Sequence, residues 1–402
     1  MTSAASLSAS LSRSVVARAR WATRLQFMAL GVLAGTWGAH IPSLKGHYAL
    51  SALMLSIVLL AAAIGTVSSL FVAGRIVGAL GARRATLLSG MVMSLMLGAA
   101  LEFPSVTLLL PAMLIFGAAM SVFDVSINTE GSVLESVGGR AVMSNLHGMF
   151  SIGGMTGAAL ASYLLELGVA PRLQLFGVCG GIAIVAALAS RGMLETHAGS
   201  DPGDESSAPG TADTPMAHFA WPRGLLLVIG LLIFAGMTAE GVMYDWSVLY
   251  LQQEVGVSQS TAALGYAIFC GAMALSRFGG DFLRARYSER MLLSLGATVA
   301  AMAMTVVLLS ANAWAAVIGF ALAGAGLAPV APILFNAATR IPGVSRAAAI
   351  ASVTSIGYSG FMIGPPLIGG IATATSLTMA LSVVVLAAAV LAFGARFVPE
   401  KR

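Results

Sequence analysis

The sequence predicts an all-α membrane protein whose twelve transmembrane helices form two pseudo-symmetric bundles of six. Composition is the first reason: 58% of the 402 residues are hydrophobic and 9% are charged, whereas a typical soluble domain is about 25% charged. The second reason is a series of twelve apolar segments, each close to the roughly 20 residues that a helix needs to cross a bilayer. The third is a polar interval that divides these segments into two sets of six.

The apolar segments follow one another with short connections in each half of the chain. They cover residues 25–44, 51–73, 86–103, 106–130, 142–166, 173–190, 224–249, 259–283, 291–311, 314–338, 347–371 and 375–395. The two cysteines, Cys179 and Cys270, both lie inside such segments. We therefore expect neither a disulfide framework nor a thiolate metal site.

The polar interval at residues 191–222 is rich in Gly, Pro, Ser, Ala and Asp and lacks apolar periodicity. This composition predicts a cytoplasmic linker without regular secondary structure. The linker separates an N-terminal six-helix bundle, residues 23–190, from a C-terminal six-helix bundle, residues 223–396. Residues 1–22 and 397–402 are predicted to be cytoplasmic tails, the first of them disordered.

Basic residues indicate the orientation of the chain in the membrane. With a cytoplasmic N-terminus, the predicted external loops hold only Lys45 and Arg172 of the 21 lysines and arginines. Because cytoplasmic loops carry an excess of these residues, we expect a multi-pass protein of the inner (plasma) membrane with both termini in the cytoplasm. The net charge of +5 then reflects topology, and nucleic acid is not an expected partner. We expect a monomer in contact with the lipid bilayer.

The two halves of the chain share short stretches at corresponding positions, which indicates an internal repeat. The stretch GRIVGALGARR, starting at Gly74, follows the second segment, and RFGGDFLRARYSER, starting at Arg277, ends the eighth. The tripeptide SIG occurs at Ser151 in the fifth segment and again at Ser355 in the eleventh. Parallel repeats of this kind are typical of transporters built from six helices plus six.

The basic turn after the second segment resembles the signature of the major facilitator superfamily. That signature has a Gly, an Asp four residues later, a basic residue, a second Gly and further basic residues. Gly74, Gly81, Arg83 and Arg84 match it, and Gly78 stands in place of the Asp. The resemblance implies a twelve-helix transporter with Gly74, Gly81 and Arg83 at a cytoplasmic gate.

The eighth segment supplies charged residues at the corresponding place in the second half. Arg277, Asp281 and Arg284 are spaced by four and three residues, so a helix presents them on one face. We expect these three residues to pair along that face and to complete the cytoplasmic gate.

A narrower resemblance concerns the fourth and fifth segments. The stretches FDVSIN and NLHGMFSIGG are similar to the fourth and fifth spans of the fucose permease branch, where a carboxylate precedes an Asn by four residues and a polar side chain enters the fifth span. Asp124, Asn128 and His147 fall at these positions. The first segment lacks the carboxylate of that branch and has Trp37 and His40 instead. The resemblance implies proton coupling at Asp124 and substrate binding by Asn128 and His147, and Trp37 and His40 are further substrate-binding candidates.

Asp124 is also a candidate on physical grounds. It lies on one helical face with Asn128, Gly131 and Glu135, at spacings of four, seven and eleven residues. Ionisable residues inside a span almost always face the bundle interior or a wet cavity, where a carboxylate can bind and release a proton. The alternative is a structural role, in which Asp124 pairs with a neighbouring donor and holds two helices together.

The seventh segment contains the second polar cluster, in the stretch AEGVMYDWSVLY. Glu240 and Tyr244 share a helical face, so Glu240 is the second candidate for proton coupling and Tyr244 a candidate for substrate binding. Trp246 is expected in the interfacial aromatic belt or in helix packing. Asn336, late in the tenth segment as Asn128 is late in the fourth, is a further substrate-binding candidate.

Three functions fit these observations. The first is a proton-coupled secondary transporter, a symporter for a small polar solute such as a sugar or a related metabolite. The second is a proton-coupled efflux carrier for amphipathic compounds, and the third is a non-transporting receptor or scaffold. The sequence has no Walker loop, no metal-binding pair of His or Cys and no dinucleotide-binding fingerprint on a strand, so we expect no enzyme and no cofactor.

Overall fold

The computed structural model describes residues 13–138, 142–194 and 222–399. In these ranges the chain forms thirteen α-helices followed by a short 3-10 helix, Ala395–Phe397. The α-helices are α1 (Arg13–His47), α2 (Ala52–Leu80), α3 (Ala82–Gly98), α4 (Val106–Gly138), α5 (Met143–Glu166), α6 (Pro171–Ser190), α7 (Gly224–Gln253), α8 (Gln259–Arg286), α9 (Glu289–Ser310), α10 (Ala313–Leu327), α11 (Val330–Ala338), α12 (Arg346–Ala374) and α13 (Leu377–Gly394). The predicted linker lies mostly outside the described residues.

The helices account for the twelve predicted spans. Ten stretches of the described chain are long and apolar enough to cross a membrane by length and composition. One of them, Ala313–Ala338, consists of α10 and α11. It is interrupted because Pro329 has no backbone N–H and cannot continue the helical hydrogen bonds, so α10 ends at Leu327. The 17-residue α3 and the 29-residue α12 complete the series.

The N-terminal end of α1 corrects the prediction of a disordered tail over residues 1–22. The helix begins at Arg13, so the last part of that stretch is helical. Ala19 is fully buried in a cluster with Leu134 of α4 and Leu194. These apolar contacts stabilise a helical extension beyond the predicted span, as tertiary packing does for most helices. Leu194 comes from the start of the predicted linker, so the linker begins with packed residues.

The end of α2 also differs from the prediction, which placed the second span at residues 51–73. The helix continues to Leu80, and Val77 is buried in a cluster that includes Ala82 of α3. Gly81 alone connects α2 to α3, with a φ of 75° that favours glycine. The predicted basic loop is therefore mostly helix, because the packing of its apolar residues continues α2 by two turns.

The chain packs as two compact units whose boundaries differ from those of the predicted bundles. Of the described residues, the first unit comprises 13–33, 61–138, 142–153 and 175–194, and the second comprises 34–60, 154–174 and 222–399. One end of α1, of α2 and of α5 thus belongs with the helices of the second half. Ala39 of α1, Ala161 of α5 and Ala263 of α8 form one buried cluster there. Such small residues let helices approach closely, which explains why these helix ends pack in the second unit.

Glycine allows two of the closest helix contacts, one in each unit. In the first unit, a Cβ at Gly153 of α5 would collide with the carbonyl oxygen of Met28 in α1. In the second unit, a Cβ at Gly326 of α10 would collide with the carbonyl oxygen of Gly296 in α9. In each case the absence of a side chain lets two helix backbones pack directly against each other.

Candidate functional site

Asp124 lies in α4, in the first unit, and is half-buried together with Asn128. The side-chain amide of Asn128 donates to Asp124 Oδ1 at 3.0 Å and to the carbonyl oxygen of Asp124 at 2.9 Å. The predicted arrangement on one helical face is therefore confirmed. In the described part of the chain no cationic side chain pairs with Asp124. The partner of this carboxylate is a neutral amide.

Other polar side chains of the first unit lie on α1 and α5. Arg24 Nε donates to Asn145 Oδ1 at 2.8 Å and links these two helices. His147, two residues after Asn145, is exposed, and its ring lies edge-on to Phe27 at a centroid distance of 5.4 Å. None of the described hydrogen bonds joins His147 to Asp124. The substrate-binding role of His147 stays a prediction.

The second carboxylate, Glu240 of α7, belongs to an ion pair in the second unit. Arg277 Nη2 of α8 lies 3.2 Å from Glu240 Oε1, and the two side chains are only 15% and 17% exposed. The hydroxyl of Tyr244 donates to the same oxygen at 2.8 Å, which confirms that Glu240 and Tyr244 share a face. Glu240 therefore has a positively charged partner, in contrast to Asp124.

Aromatic rings surround this ion pair. The ring of Tyr244 lies 5.8 Å from that of Tyr266 and 5.8 Å from that of Phe269, both on α8. Tyr266 and Phe269 are buried. An ion pair in such apolar surroundings gains strength from the low local dielectric but costs desolvation, so each charge depends on the other.

Arg277 is predicted to belong to the cytoplasmic gate, and this role stays a prediction beside its observed contact with Glu240. Arg277 reaches across to α7, whereas Arg284, two turns later, contacts Glu289 of α9 at 3.0 Å. The two arginines thus belong to different charge clusters, because each contacts an acidic residue on a neighbouring helix. The side chain of Asp281 lies outside what the structure describes, and its pairing stays a prediction.

Glu289 is the centre of the second charge cluster of this unit. The residue is only 6% exposed, and its carboxylate contacts both Arg284 and Arg340. Asn336 Nδ2 of α11 donates to Glu289 Oε1 at 3.0 Å. The amide of Asn336 thus supplies a further donor to a buried carboxylate, and its substrate-binding role stays a prediction.

The residues of the first half that are predicted to form a gate lie at the junction of α2 and α3. Gly74 is inside α2, Gly81 forms the turn, and Arg83 is half-buried in the first turn of α3. All three residues thus lie at or near the turn between these two helices, and their role in a gate stays a prediction.

Trp37 and His40, the substrate-binding candidates of the first span, lie on the end of α1 that belongs to the second unit. The side chain of Trp37 hydrogen-bonds to Asp245 of α7. His40 is 2% exposed, and its ring nitrogens lie 3.3 Å from Ser43 Oγ and 3.1 Å from Gln174 Oε1. Both ring nitrogens of His40 thus face protein groups, and the substrate-binding roles of Trp37 and His40 stay predictions.

The same end of α1 also contacts α8. Gln259 Nε2 donates to the carbonyl oxygen of Ala39 at 2.8 Å and to Ser43 Oγ at 2.7 Å. Ser260 Oγ donates to Glu166 of α5 at 2.8 Å. These polar contacts hold α8 against α1 and α5 at this end of the second unit.

Sequence reasoning did not identify Asp245, Thr238 and Gln26 as functional candidates. Thr238 and Asp245 are seven residues apart on α7, a spacing that places them on one face and was available as a signal. Trp246 is fully buried, so of the two predicted places the structure selects helix packing over the interfacial belt. Gln26 is also fully buried and donates to the carbonyl oxygen of Ala186 at 3.1 Å. No group of three or more potential metal ligands occurs among the described residues.

Known proteins share both the sequence pattern and the fold. The family model described as Major Facilitator Superfamily matches residues 25–284 and 226–402. An uncharacterized MFS-type transporter of Yersinia pestis is 34% identical over 380 residues, which is 94% of either chain. The membrane protein MosC of Rhizobium meliloti is 29% identical over 95% of this chain and 90% of its own length.

Solved structures agree on the architecture. A nucleoside transporter, NupG, is similar with a TM-score of 0.73 at 13% identity, over 95% of this chain and 99% of its own. The fucose:proton symporter FucP of E. coli is similar with a TM-score of 0.64 at 17% identity, over 95% of this chain and 98% of its own. These likenesses concern the fold, and they agree with the predicted two sets of six helices. The family match covers most of the chain, and the protein therefore belongs to the major facilitator superfamily of membrane transporters.

Proposed function

We propose that the protein is a proton-coupled symporter for a small polar solute, with Asp124 as the residue that binds and releases the proton. The observation that carries this proposal is the neutral environment of Asp124. Its partner is the Asn128 amide, which can hydrogen-bond to either the charged or the protonated carboxyl group. Protonation of Asp124 therefore leaves no buried cation without a partner.

Glu240 is the second candidate, and its ion pair gives it a different place in the proposal. Protonation of Glu240 breaks its ion pair with Arg277, and the loss of a buried ion pair is strongly unfavourable. Glu240 and Arg277 are therefore better suited to hold a polar solute or to stabilise the second unit while Asp124 exchanges the proton. The aromatic rings around Tyr244 provide apolar surface that a ring-shaped or hydroxylated solute can contact.

The class of solute is supported by the chemistry of these residues and by the named activities of similar proteins. One structural neighbour is a fucose:proton symporter and another is a nucleoside transporter, both of which take hydroxylated solutes. A carboxylate, a guanidinium and a phenol supply the donors and acceptors that hydroxyl groups require. A sugar or a related metabolite therefore fits this protein better than a purely apolar compound.

Transport by alternating access requires each end of the pathway to open and close in turn. The contacts of Gln259 with Ala39 and Ser43, and of Ser260 with Glu166, support a role for this end of the second unit as a gate. These are neutral or singly charged hydrogen bonds, each worth about 0.5 to 3 kcal/mol. A set of such bonds can break and form again during a transport cycle.

Uptake into proteoliposomes tests the proposed function. A panel of labelled sugars, nucleosides, carboxylic acids and amphipathic cations is offered with and without an imposed pH gradient. We expect accumulation of a hydroxylated solute that depends on an inward proton gradient. Accumulation that an outward proton gradient drives would instead assign the chain to antiport, and a preference for amphipathic cations would assign it to efflux.

The proposed location is the inner membrane, with both termini and the linker in the cytoplasm, as the distribution of basic residues predicts. A reporter enzyme that is active only outside the cytoplasm, inserted between residues 201 and 214, tests this topology. We expect no reporter activity there, and we expect activity when the same reporter follows Lys45. The opposite pattern would invert the topology.

A further inference from the structure

A small pocket lies between α7 and α12 in the second unit and has room for about one water-sized group. Five of its lining residues come from α7 and four from α12. The argument below uses Thr238, Asp245 and Trp246 of α7 and Gly364 of α12. The pocket is separate from the Glu240 ion pair, although both use α7.

Two polar atoms in the wall of this pocket have no hydrogen-bond partner among the described residues. They are the hydroxyl of Thr238, whose residue is 4% exposed, and the indole N–H of Trp246, whose residue is fully buried. A buried polar group without a partner costs about 1 to 3 kcal/mol. A hydrogen-bonding group in the pocket would remove this cost for both atoms.

The remaining polar groups of the pocket are acceptors. The carboxylate of Asp245 accepts a hydrogen bond from Trp37 and has lone pairs for further donors. The pocket therefore offers one fixed donor, the acceptor oxygens of Asp245 and a hydroxyl that can serve as either.

This combination selects among ligand groups. An ammonium group only donates and would leave the Trp246 N–H without a partner. A carboxylate only accepts and would lie beside the charge of Asp245. A hydroxyl group both donates and accepts, so it can bond to Asp245 and Trp246 at once, and it matches the size of the pocket. We infer that the pocket is a subsite for one hydroxyl group of a polyhydroxylated solute, an inference that rests on the proposed transport of a small polar solute.

Gly364 independently indicates open space at this place. The residue is buried, yet a Cβ added to it would meet only Val242 Cγ2, at 4.0 Å. Gly360, one turn earlier on α12, has no such space, because a Cβ there would lie 2.7 Å from the Thr238 hydroxyl. A glycine at residue 364 thus keeps the pocket open, and an alanine there adds a methyl group to the pocket without a packing collision.

Equilibrium binding to the purified full-length protein in detergent tests this subsite. The probes are D-glucose, L-fucose, D-mannitol and uridine, with the monodeoxy analogues of each, and L-alanine and succinate as solutes without the matching hydroxyl groups. Thr238→Val removes the hydroxyl at constant shape, and Gly364→Ala fills the pocket. Gly370→Ala is the matched control, because a Cβ at this exposed glycine of α12 meets nothing within 4 Å.

We expect one hydroxylated probe to bind the wild-type protein and one of its monodeoxy analogues to bind about tenfold more weakly. Thr238→Val and Gly364→Ala should weaken binding of the parent probe by a similar factor and leave the binding of that analogue unchanged. Gly370→Ala should bind like the wild type. Thermal unfolding of each variant in detergent verifies that it is folded.

Two results would overturn the inference. The first is that no hydroxylated probe binds, or that the solutes without hydroxyl groups bind better. The second is that both pocket variants bind the parent probe normally, which would identify the pocket as the site of a fixed water molecule. The assay requires no membrane and no gradient, so it is independent of proton coupling. A failure of the proposed function would instead be seen as solute flux without proton flux in the wild-type protein.

Discussion

Asp124 and Glu240 are both half-buried carboxylates on long transmembrane helices, but their surroundings differ in charge. Asp124, in the first unit, accepts a hydrogen bond from the neutral side chain of Asn128 on its own helix. Glu240, in the second unit, is paired with Arg277 of the next helix and accepts a hydrogen bond from Tyr244. The first carboxylate can change its charge without disturbing a partner cation, whereas the second cannot.

An ionisable residue inside a span thus has two possible uses. A carboxylate with a neutral partner is suited to proton exchange, and a carboxylate with a cationic partner is suited to structure or to solute binding. The degree of burial does not distinguish these uses, because both residues are half-buried. The charge of the hydrogen-bonding partner distinguishes them.

Removal of the guanidinium in the second unit should have the largest effect on stability. Arg277→Met leaves Glu240 as a buried charge without its cation, and the loss of one partner of a buried pair costs about 3 to 5 kcal/mol. We expect a much lower unfolding temperature in detergent and loss of transport. The double variant Arg277→Met with Glu240→Gln should recover most of the stability, because no charge then remains unpaired.

Arg286→Met serves as the control for this prediction, since Arg286 is an exposed arginine on the same helix that stacks on Phe282. Its unfolding temperature should stay close to that of the wild type. If Arg277→Met were as stable as this control, the ion pair would contribute little and the contrast between the two carboxylates would fail.

A methyl group at Gly38 should have an intermediate effect. A Cβ there would lie 2.5 Å from the ring of Tyr266 and 3.0 Å from the carbonyl oxygen of Tyr244. Overpacking of this kind costs about 1 to 3 kcal/mol, so Gly38→Ala should favour states in which this end of the second unit is open. Maleimide labelling of a Ser260→Cys reporter, at a position that is 7% exposed, should become at least several-fold faster.

Gly46→Ala is the matched control for the same helix, because a Cβ at Gly46 meets nothing within 4 Å. Labelling of the reporter should be unchanged by it. Equal labelling rates in the Gly38 and Gly46 variants would mean that the contacts at this end do not form a gate.

Asn336→Ala should have the smallest effect of these three. It removes one donor from Glu289, which keeps its contacts with Arg284 and Arg340, so we expect a loss of about 1 kcal/mol in stability. Solute affinity should stay unchanged, because the amide supports a charge cluster that is distinct from the Glu240 pair. Asn336→Asp, which adds a charge beside Glu289, should be less stable than Asn336→Ala. A large loss of solute affinity with normal stability would restore the substrate-binding role that the sequence predicted.

The sequence predicted the spans and the local side-chain geometry well. Hydropathy located the twelve apolar segments, and the four-residue spacing correctly placed Asn128 beside Asp124 and Tyr244 beside Glu240. These features depend on residues of one helix, where the period of 3.6 residues decides which side chains meet.

Contacts between helices were the part that the sequence could not supply. Arg277 lies near the end of its span and was assigned to a gate, but only the packing of α8 on α7 brings it to Glu240. His40 is of a residue type that is common in binding sites, but the contact with Gln174 encloses it among protein groups. Asn336 likewise depends on α9, which supplies Glu289. In each case the contacting partner is distant in the sequence.

The central claim is that Asp124 carries the coupled proton, and Asp124→Asn tests it with little effect on stability. Asparagine keeps the size of the side chain and can still hydrogen-bond to Asn128, but it cannot bind or release a proton. The matched variant Glu240→Gln, made together with Arg277→Met, removes the other carboxylate without an unpaired charge. The purified variants are reconstituted into liposomes at equal density.

Simultaneous recording of solute flux and proton flux in these liposomes is the most direct measurement. For Asp124→Asn we predict solute exchange down its gradient with no accompanying proton movement and no accumulation against a gradient, whereas the Glu240 and Arg277 double variant should keep proton movement for whatever solute it still transports. Gradient-driven accumulation by Asp124→Asn with the proton-to-solute ratio of the wild type would contradict the account and would assign Asp124 a structural role.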